Sequence, residues 1–140
     1  MSDLKKLIIY SDGGARGNPG PAAIGVLVCD EKDEPLQEYQ QTIGEATNNV
    51  AEYRAVIKGL ELAQALGGGE VQYFVDSELV ANQLLGVYRI KTPHIRELFM
   101  QVVERIRHFK KVNFIHVPRT HPKISYVDKL VNQVLNREGY

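Results

Sequence analysis

Residues Tyr10-Ser11-Asp12-Gly13-Gly14-Ala15-Arg16-Gly17-Asn18-Pro19-Gly20 follow an apolar run, Leu7-Ile8-Ile9-Tyr10. That run has the character of a buried strand, so Asp12 is expected where a central strand finishes and a glycine-rich turn begins. Gly13, Gly14 and Gly17 leave backbone N–H groups bare, and a phosphate-bearing chain can approach bare backbone closely. Arg16 adds a planar cation that suits phosphate or a sugar hydroxyl. The chemistry this stretch could do is to hold a metal ion on Asp12 and nucleic acid on the loop. A tight turn whose amides Asp12 satisfies is the plain structural alternative.

Three further acids stand at expected element ends. Glu52 falls in the first turn of a predicted helix, Asp76 follows a predicted strand, and Asp128 falls in the first turn of the last predicted helix. Each has an ordinary explanation. Asn49 and Glu52 have the spacing of a capping box, Asp76 could serve the turn before Ser77, and Asp128 could complement a helix dipole. Together they read differently. In sheets with parallel strands, ligands sit beyond the carboxyl ends of the strands, and four carboxylates gathered there would repel one another unless cations held them. Oxygen-only ligands select Mg²⁺ or Mn²⁺ over Zn²⁺. Two such ions about 3.5–4 Å apart make a phosphodiester-cleaving site.

The elements that must position these acids follow from patterning. Leu4 to Asp12, Ala22 to Cys29 and Leu36 to Ile43 read as three strands in an antiparallel meander, the third at a polar edge. Thr47, Asn48 and Asn49 offer caps for a helix whose apolar face runs through Val50, Tyr53, Val56, Ile57 and Leu60, and Gly67 to Gly69 stop it. Val71 to Val75 form a fourth strand. Ser77 caps a short helix from Glu78 to Leu85, and Pro93 opens another. Val112 to Val117 form the fifth strand, Pro118 to Ser125 a polar loop, and a last helix carries Val127, Leu130, Val131, Val134 and Leu135. The order β-β-β-α-β-α-α-β-α predicts an α/β fold, a five-stranded mixed sheet with helices on both faces.

The chain has 140 residues, 44% hydrophobic and 24% charged, which fits one globular domain over residues 1–140. Lys plus Arg equal Asp plus Glu at 17 each. Any nucleic-acid grip must therefore be local or metal-borne, because bulk positive charge is missing. No run approaches the roughly 20 apolar residues of a membrane span, and the first residues lack the apolar stretch of a secretory signal. Cys29, the single cysteine, sits in an apolar run and suits a core position in a reducing, cytoplasmic setting. A monomer is the default expectation.

Tyr10 to Pro21, Thr47-Asn48-Asn49-Val50-Ala51-Glu52, Val75-Asp76-Ser77-Glu78-Leu79-Val80, and Val117-Pro118-Arg119 leading to Asp128-Lys129-Leu130-Val131-Asn132 resemble, in order, the motifs of the type 1 ribonuclease H family. The resemblance covers almost the whole chain. It implies a ribonuclease H-like fold and endonucleolytic hydrolysis of the RNA strand of RNA/DNA hybrids, leaving 5′-phosphate and 3′-hydroxyl ends. It puts two Mg²⁺ or Mn²⁺ ions on Asp12, Glu52, Asp76 and Asp128. RNA-strand contacts fall on Gly13, Arg16, Gly17, Asn18, Asn48 and Asn49, where amides suit 2′-hydroxyls, and a DNA-strand phosphate falls on Thr47 with Asn18. Family members often carry a mobile histidine in the last loop, a place that His121 takes here. His116 reads as structural, and His94 and His108 as helix residues without a role.

Two features depart from the family pattern. Better-known bacterial members have a basic, Trp-containing insertion where this chain has only Gly86 to Thr92, with Arg89 and Lys91, and no Trp anywhere. A separate N-terminal hybrid-binding module is not expected either. Weaker hybrid binding, or grip from other residues, is expected. The residues before Asp128 are Ile124-Ser125-Tyr126-Val127, where relatives often place small residues and another acid. Two other functions remain open at this point: a non-catalytic nucleic-acid-binding domain of the same fold, and a related metal nuclease acting on DNA or double-stranded RNA.

Overall fold

The computed structural model describes residues 5–140, so the expected strand start at Leu4 lies outside the described residues. The elements are β1 (Lys5–Ala15), β2 (Gly20–Cys29), β3 (Pro35–Ala46), α1 (Asn48–Ala65), β4 (Gly68–Val75), α2 (Glu78–Leu84), α3 (Pro93–Ile106), β5 (Lys111–His116) and α4 (Pro122–Arg137). This is the predicted order. The sheet runs β3-β2-β1-β4-β5. β1 pairs antiparallel with β2 and parallel with β4, and β5 is parallel to β4. β3 is the mostly exposed edge.

Strand alternation sorts the core into two layers. Leu7 and Ile9 face α1 and pack with Tyr53, Val56 and Leu60, with α3 laid against α1. Tyr10 faces the opposite way, onto Ile124, Val127 and Leu130 of α4, beside Leu27 and Cys29. Cys29 is fully buried, in the core role its apolar surroundings predicted.

Buried polar groups tie α1 to the sheet and to α2. The Tyr73 hydroxyl donates to Ser11 Oγ at 2.9 Å and lies 3.2 Å from the Ala55 carbonyl. The Tyr53 hydroxyl donates to Gln83 Oε1 at 2.7 Å. Tyr73→Phe should leave the neighbouring Ser11 hydroxyl without its partner in a dry site, at a cost of about 1–3 kcal/mol. Denaturant unfolding would measure this as a lower midpoint at unchanged slope.

The structure corrects three local expectations. β1 does not end at Asp12 but continues to Ala15, because Gly13 and Gly14 keep antiparallel register with Ile24 and Ala23 of β2. The parallel pairing with β4 is what ends early, at Tyr10 and Phe74. Residues 122–125 are helical rather than loop: Pro122 is pre-set for a first helical turn, and His121 caps it by accepting from the Lys123 amide through Nδ1 at 3.2 Å. Asp128 consequently lies past the first turn of α4, and Glu52 lies past the first turn of α1 because that helix starts at Asn48. The Asn49–Glu52 capping box does not form. Thr47 caps α1 alone, accepting from the Val50 amide at 3.2 Å.

Candidate active site

Asp12 and Asp76 each stand two residues beyond the last β1–β4 pair, Tyr10 with Phe74. The pleat therefore turns both to the same side. The two helix-borne acids arrive because two glycines remove the obstacle of a Cβ. At Gly13 a Cβ would lie 2.2 Å from the Ala51 carbonyl oxygen, so α1 sits directly on the strand. At Gly25, the cross-strand partner of Asp12, a Cβ would lie 2.7 Å from the Val127 carbonyl oxygen, so α4 comes equally close on the other face. Glu52 rides in on α1, where its Oε1 accepts from the Gly13 amide at 2.9 Å. Asp128 rides in on α4.

Carboxylate oxygens of Asp12, Glu52 and Asp76 all lie within 4.8 Å of one another. Asp12 is 7% exposed and Glu52 6%. The trio and Asp128 line a cavity of about 460 Å³, together with Asn48, Asn49 and Arg119. The residues fit a hard divalent cation. Their donors are all carboxylate oxygens, and Glu52 Oε2 is buried with no hydrogen-bond partner. A lone pair left that way is costly in a folded protein unless something positive meets it.

Electrostatics point the same way. Burial first, and then the charge of Glu52, push the Asp12 carboxyl far above the usual carboxylate range. Burial raises Glu52 as well, against the hydrogen bond from the Gly13 amide, which favours its ionised form. Asp76 is raised by burial, partly offset by Arg119. Without a cation, the folded protein thus holds protons that the unfolded chain, titrating near pH 4, releases. The stability this brings is complete below the unfolded carboxylate range and is lost as pH climbs through the raised values. In EDTA, Tm should fall between about pH 5 and pH 9. Millimolar Mg²⁺ should flatten or reverse that slope, because the cation binds the deprotonated set. A Tm indifferent to both variables would mean the carboxylates bear no strain and hold no cation.

The other sequence-predicted residues divide into groups. Asn48 and Asn49 line the cavity. Asn48 also joins the glycine stretch to α1: its Oδ1 accepts from the Ala15 amide at 2.9 Å, and its own amide donates to Asn18 Oδ1 at 3.0 Å. Thr47 and Asn18 meet in a second cavity of about 310 Å³ with Thr92 and His94. Gly17 is exposed at the loop tip with φ of 95°. Gly13 departs from the expectation of free backbone, since its N–H is spent on Glu52. Arg16 lines the cavity, but its guanidinium donates to the carbonyl and Oδ1 of Asn132 and to the main-chain oxygen of Tyr140.

His121 stands outside the acid cluster. It caps α4, its ring lies 5.3 Å from that of Tyr10 and 6.1 Å from that of Phe74, and it is absent from the cavity lining. The residue of that loop that does reach the cavity is Arg119, together with Asn132 from α4. The Val117-Pro118-Arg119 motif signalled the region but gave Arg119 no role. Asn132, one helical turn past Asp128, could have been picked out from that spacing.

Known proteins match this arrangement. The family described as reverse transcriptase-like matches residues 10–134. The N-terminal RNase H domain of a Mycobacterium tuberculosis protein superposes with a TM-score of 0.90 at 40% identity, over 95% of each chain. RNase H1 of Halobacterium salinarum gives a TM-score of 0.90 at 36% identity, over 94% of this chain and 98% of its own. LC11-RNase H1, solved in complex with an RNA/DNA hybrid, gives 0.88 at 43% identity over 94% and 98%. This chain spans 36% of the length of the full mycobacterial protein, which is named bifunctional, and 63% of Halobacterium ribonuclease HI. With the family model matching residues 10–134 and RNase H1 structures superposing over 94% of its length, the chain belongs to the reverse transcriptase-like family and, within it, to the type 1 ribonucleases H.

Proposed function

We propose that this protein hydrolyses the RNA strand of RNA/DNA hybrids endonucleolytically, with two Mg²⁺ or Mn²⁺ ions on Asp12, Glu52, Asp76 and Asp128. The observation that carries the reading is the convergence of Asp12, Glu52 and Asp76 around the unpartnered Glu52 Oε2. A protein that only bound nucleic acid would gain nothing from acids facing phosphate. When bound, the ions would supply an acidified water and neutralise charge at the leaving 3′ oxygen. Water oxygen bonds to phosphorus as the P–O3′ bond breaks, leaving a 5′-phosphate and a 3′-hydroxyl.

The chain's own groups do the rest. Glu52, fixed by the Gly13 amide, presents one oxygen upward, and the stiff end of β1 holds Asp12 beside it. Arg119, exposed at the rim beside Asp76, is placed to attract the scissile phosphate and to relieve repulsion among the acids. Asn48 and Asn49 at the start of α1, with Gly17 and Asn18 opposite, offer amides to 2′-hydroxyls, and Thr47 with Asn18 offers a phosphate seat on the DNA strand. Base edges are not addressed, so cleavage should follow helix shape and sugar chemistry rather than sequence.

The test is one substrate panel in Mg²⁺ and in Mn²⁺: RNA/DNA hybrid, duplex DNA and duplex RNA, with Asp76→Asn as the inactive control. Cleavage of the hybrid, confined to its RNA strand and lost in Asp76→Asn, is the expected result. Cutting of duplex RNA at a comparable rate would widen the substrate class to double-stranded RNA. Binding without cutting would reduce the protein to a hybrid-binding domain.

A further inference from the structure

Asp128 stands outside the trio whose oxygens converge, and it is half-buried on α4. Among the described residues, the hydrogen bond to its carboxylate comes from Asn132 Nδ2, 3.4 Å from Oδ2, and the same nitrogen donates to the Asp128 carbonyl at 3.1 Å. The other end of that amide, Oδ1, accepts from Arg16 Nη2 at 3.2 Å. Arg16 is anchored in turn on the carbonyls of Asn132 and Tyr140. A guanidinium can only donate and a carboxylate can only accept. The amide between them therefore has one workable orientation, and a flip would set NH₂ against the cation and oxygen against the anion.

We propose that Asn132, oriented by Arg16, is a positioning residue that aims the Asp128 carboxylate into the metal site. This inference rests on the nuclease reading of that site. It also reassigns Arg16 from direct contact with substrate to support of a ligand. The arm that carries Asp128 is then braced from the glycine stretch itself. Outer partners of this kind commonly govern metal affinity and rate by about 10–100-fold.

The discriminating variants are Asn132→Ala, Asn132→Asp and Arg16→Ala, compared in hybrid cleavage and in calorimetric titration with Mn²⁺. Asn132 is exposed, so its variants should fold, which a thermal scan checks. Asn132→Ala is expected to lower kcat about 10-fold and weaken Mn²⁺ binding similarly, with KM nearly unchanged. Asn132→Asp should be worse than Ala, since it turns a second carboxylate on Asp128. In an Asp128→Asn background, Asn132→Ala should leave the Mn²⁺ titration where Asp128→Asn alone puts it. Arg16→Ala should follow Asn132→Ala in kcat. Equal behaviour of the Ala and Asp variants, a full Asn132→Ala effect without Asp128, or wild-type values throughout would each overturn the proposal. A rise in KM alone for Arg16→Ala would return that residue to substrate contact and break the chain. A wild-type protein that binds Mn²⁺ yet spares the hybrid would remove the nuclease reading, while the calorimetric comparison still judges the positioning of Asp128.

Discussion

Asp12→Asn should abolish hybrid cleavage and, in the absence of metal, make the protein more stable. The loss should be at least about 10³-fold in kcat, since a ligand to catalytic metal supplies several kcal/mol at the transition state and each 1.36 kcal/mol is tenfold. The gain follows from burial: Asp12 is nearly inaccessible, its pKa is driven up, and it abuts Glu52. An amide of the same shape carries no ionisation cost there. On the order of 1 kcal/mol is expected, a few degrees of Tm in EDTA for a chain of this size. The gain should widen as pH rises, because the wild type pays more to ionise while Asn does not titrate. Added Mg²⁺ should narrow the gap by stabilising the wild type alone. Paired activity and calorimetric scans check both halves. A variant that is inactive and also less stable without metal would show that Asp12 serves the fold before it serves the site.

Gly13→Ala should damage both fold and catalysis. The added Cβ would meet Ala51 O at 2.2 Å, Ala51 C at 2.3 Å and Glu52 N at 2.6 Å. All three are main-chain atoms of α1, so no side chain can swing aside and the helix itself must move. Overpacking of this kind costs about 1–3 kcal/mol. The shift also pulls Glu52 away from Asp12, and a displacement near 1 Å can cost about 10²-fold in rate. Denaturant midpoints and hybrid cleavage measured on the same preparation report the two effects. Gly14→Ala is the internal control, since its nearest neighbour would be the Val131 side chain at 3.8 Å, an ordinary contact. Equal tolerance of both substitutions would mean that α1 is not seated by Gly13.

The sheet and its four carboxylates were legible in sequence because both rest on short, strongly patterned segments. Leu7 to Tyr10 and Val71 to Val75 read as buried strands, and Asp12 and Asp76 follow them directly. Less legible was what depends on partners distant in sequence. Gly13 looked like free backbone because nothing nearby shows that Glu52, 39 residues on, takes its N–H. Arg16 read as a phosphate ligand, and its acceptors on Asn132 and at Tyr140, more than a hundred positions away, were not legible from the loop itself. Residues 122–125 looked like loop because their polar character hid a proline-started turn that His121 caps. That one boundary moved Asp128 past the first turn and made His121 the cap of α4, its ring beside Tyr10. The motifs located the site, but long-range hydrogen bonds decided which of its residues remain free.

The two helices seated at Gly13 and Gly25 press on the sheet from opposite sides, and each brings an acid to the lining of the same cavity. A bound cation would therefore act as a rivet through the laminate. Peeling away either outer layer would have to break coordination that also engages the other, so the half-cores above and below the strands would open together rather than singly. Occupancy of the metal site would thus set the cooperativity of the whole laminate as well as the chemistry at its rim.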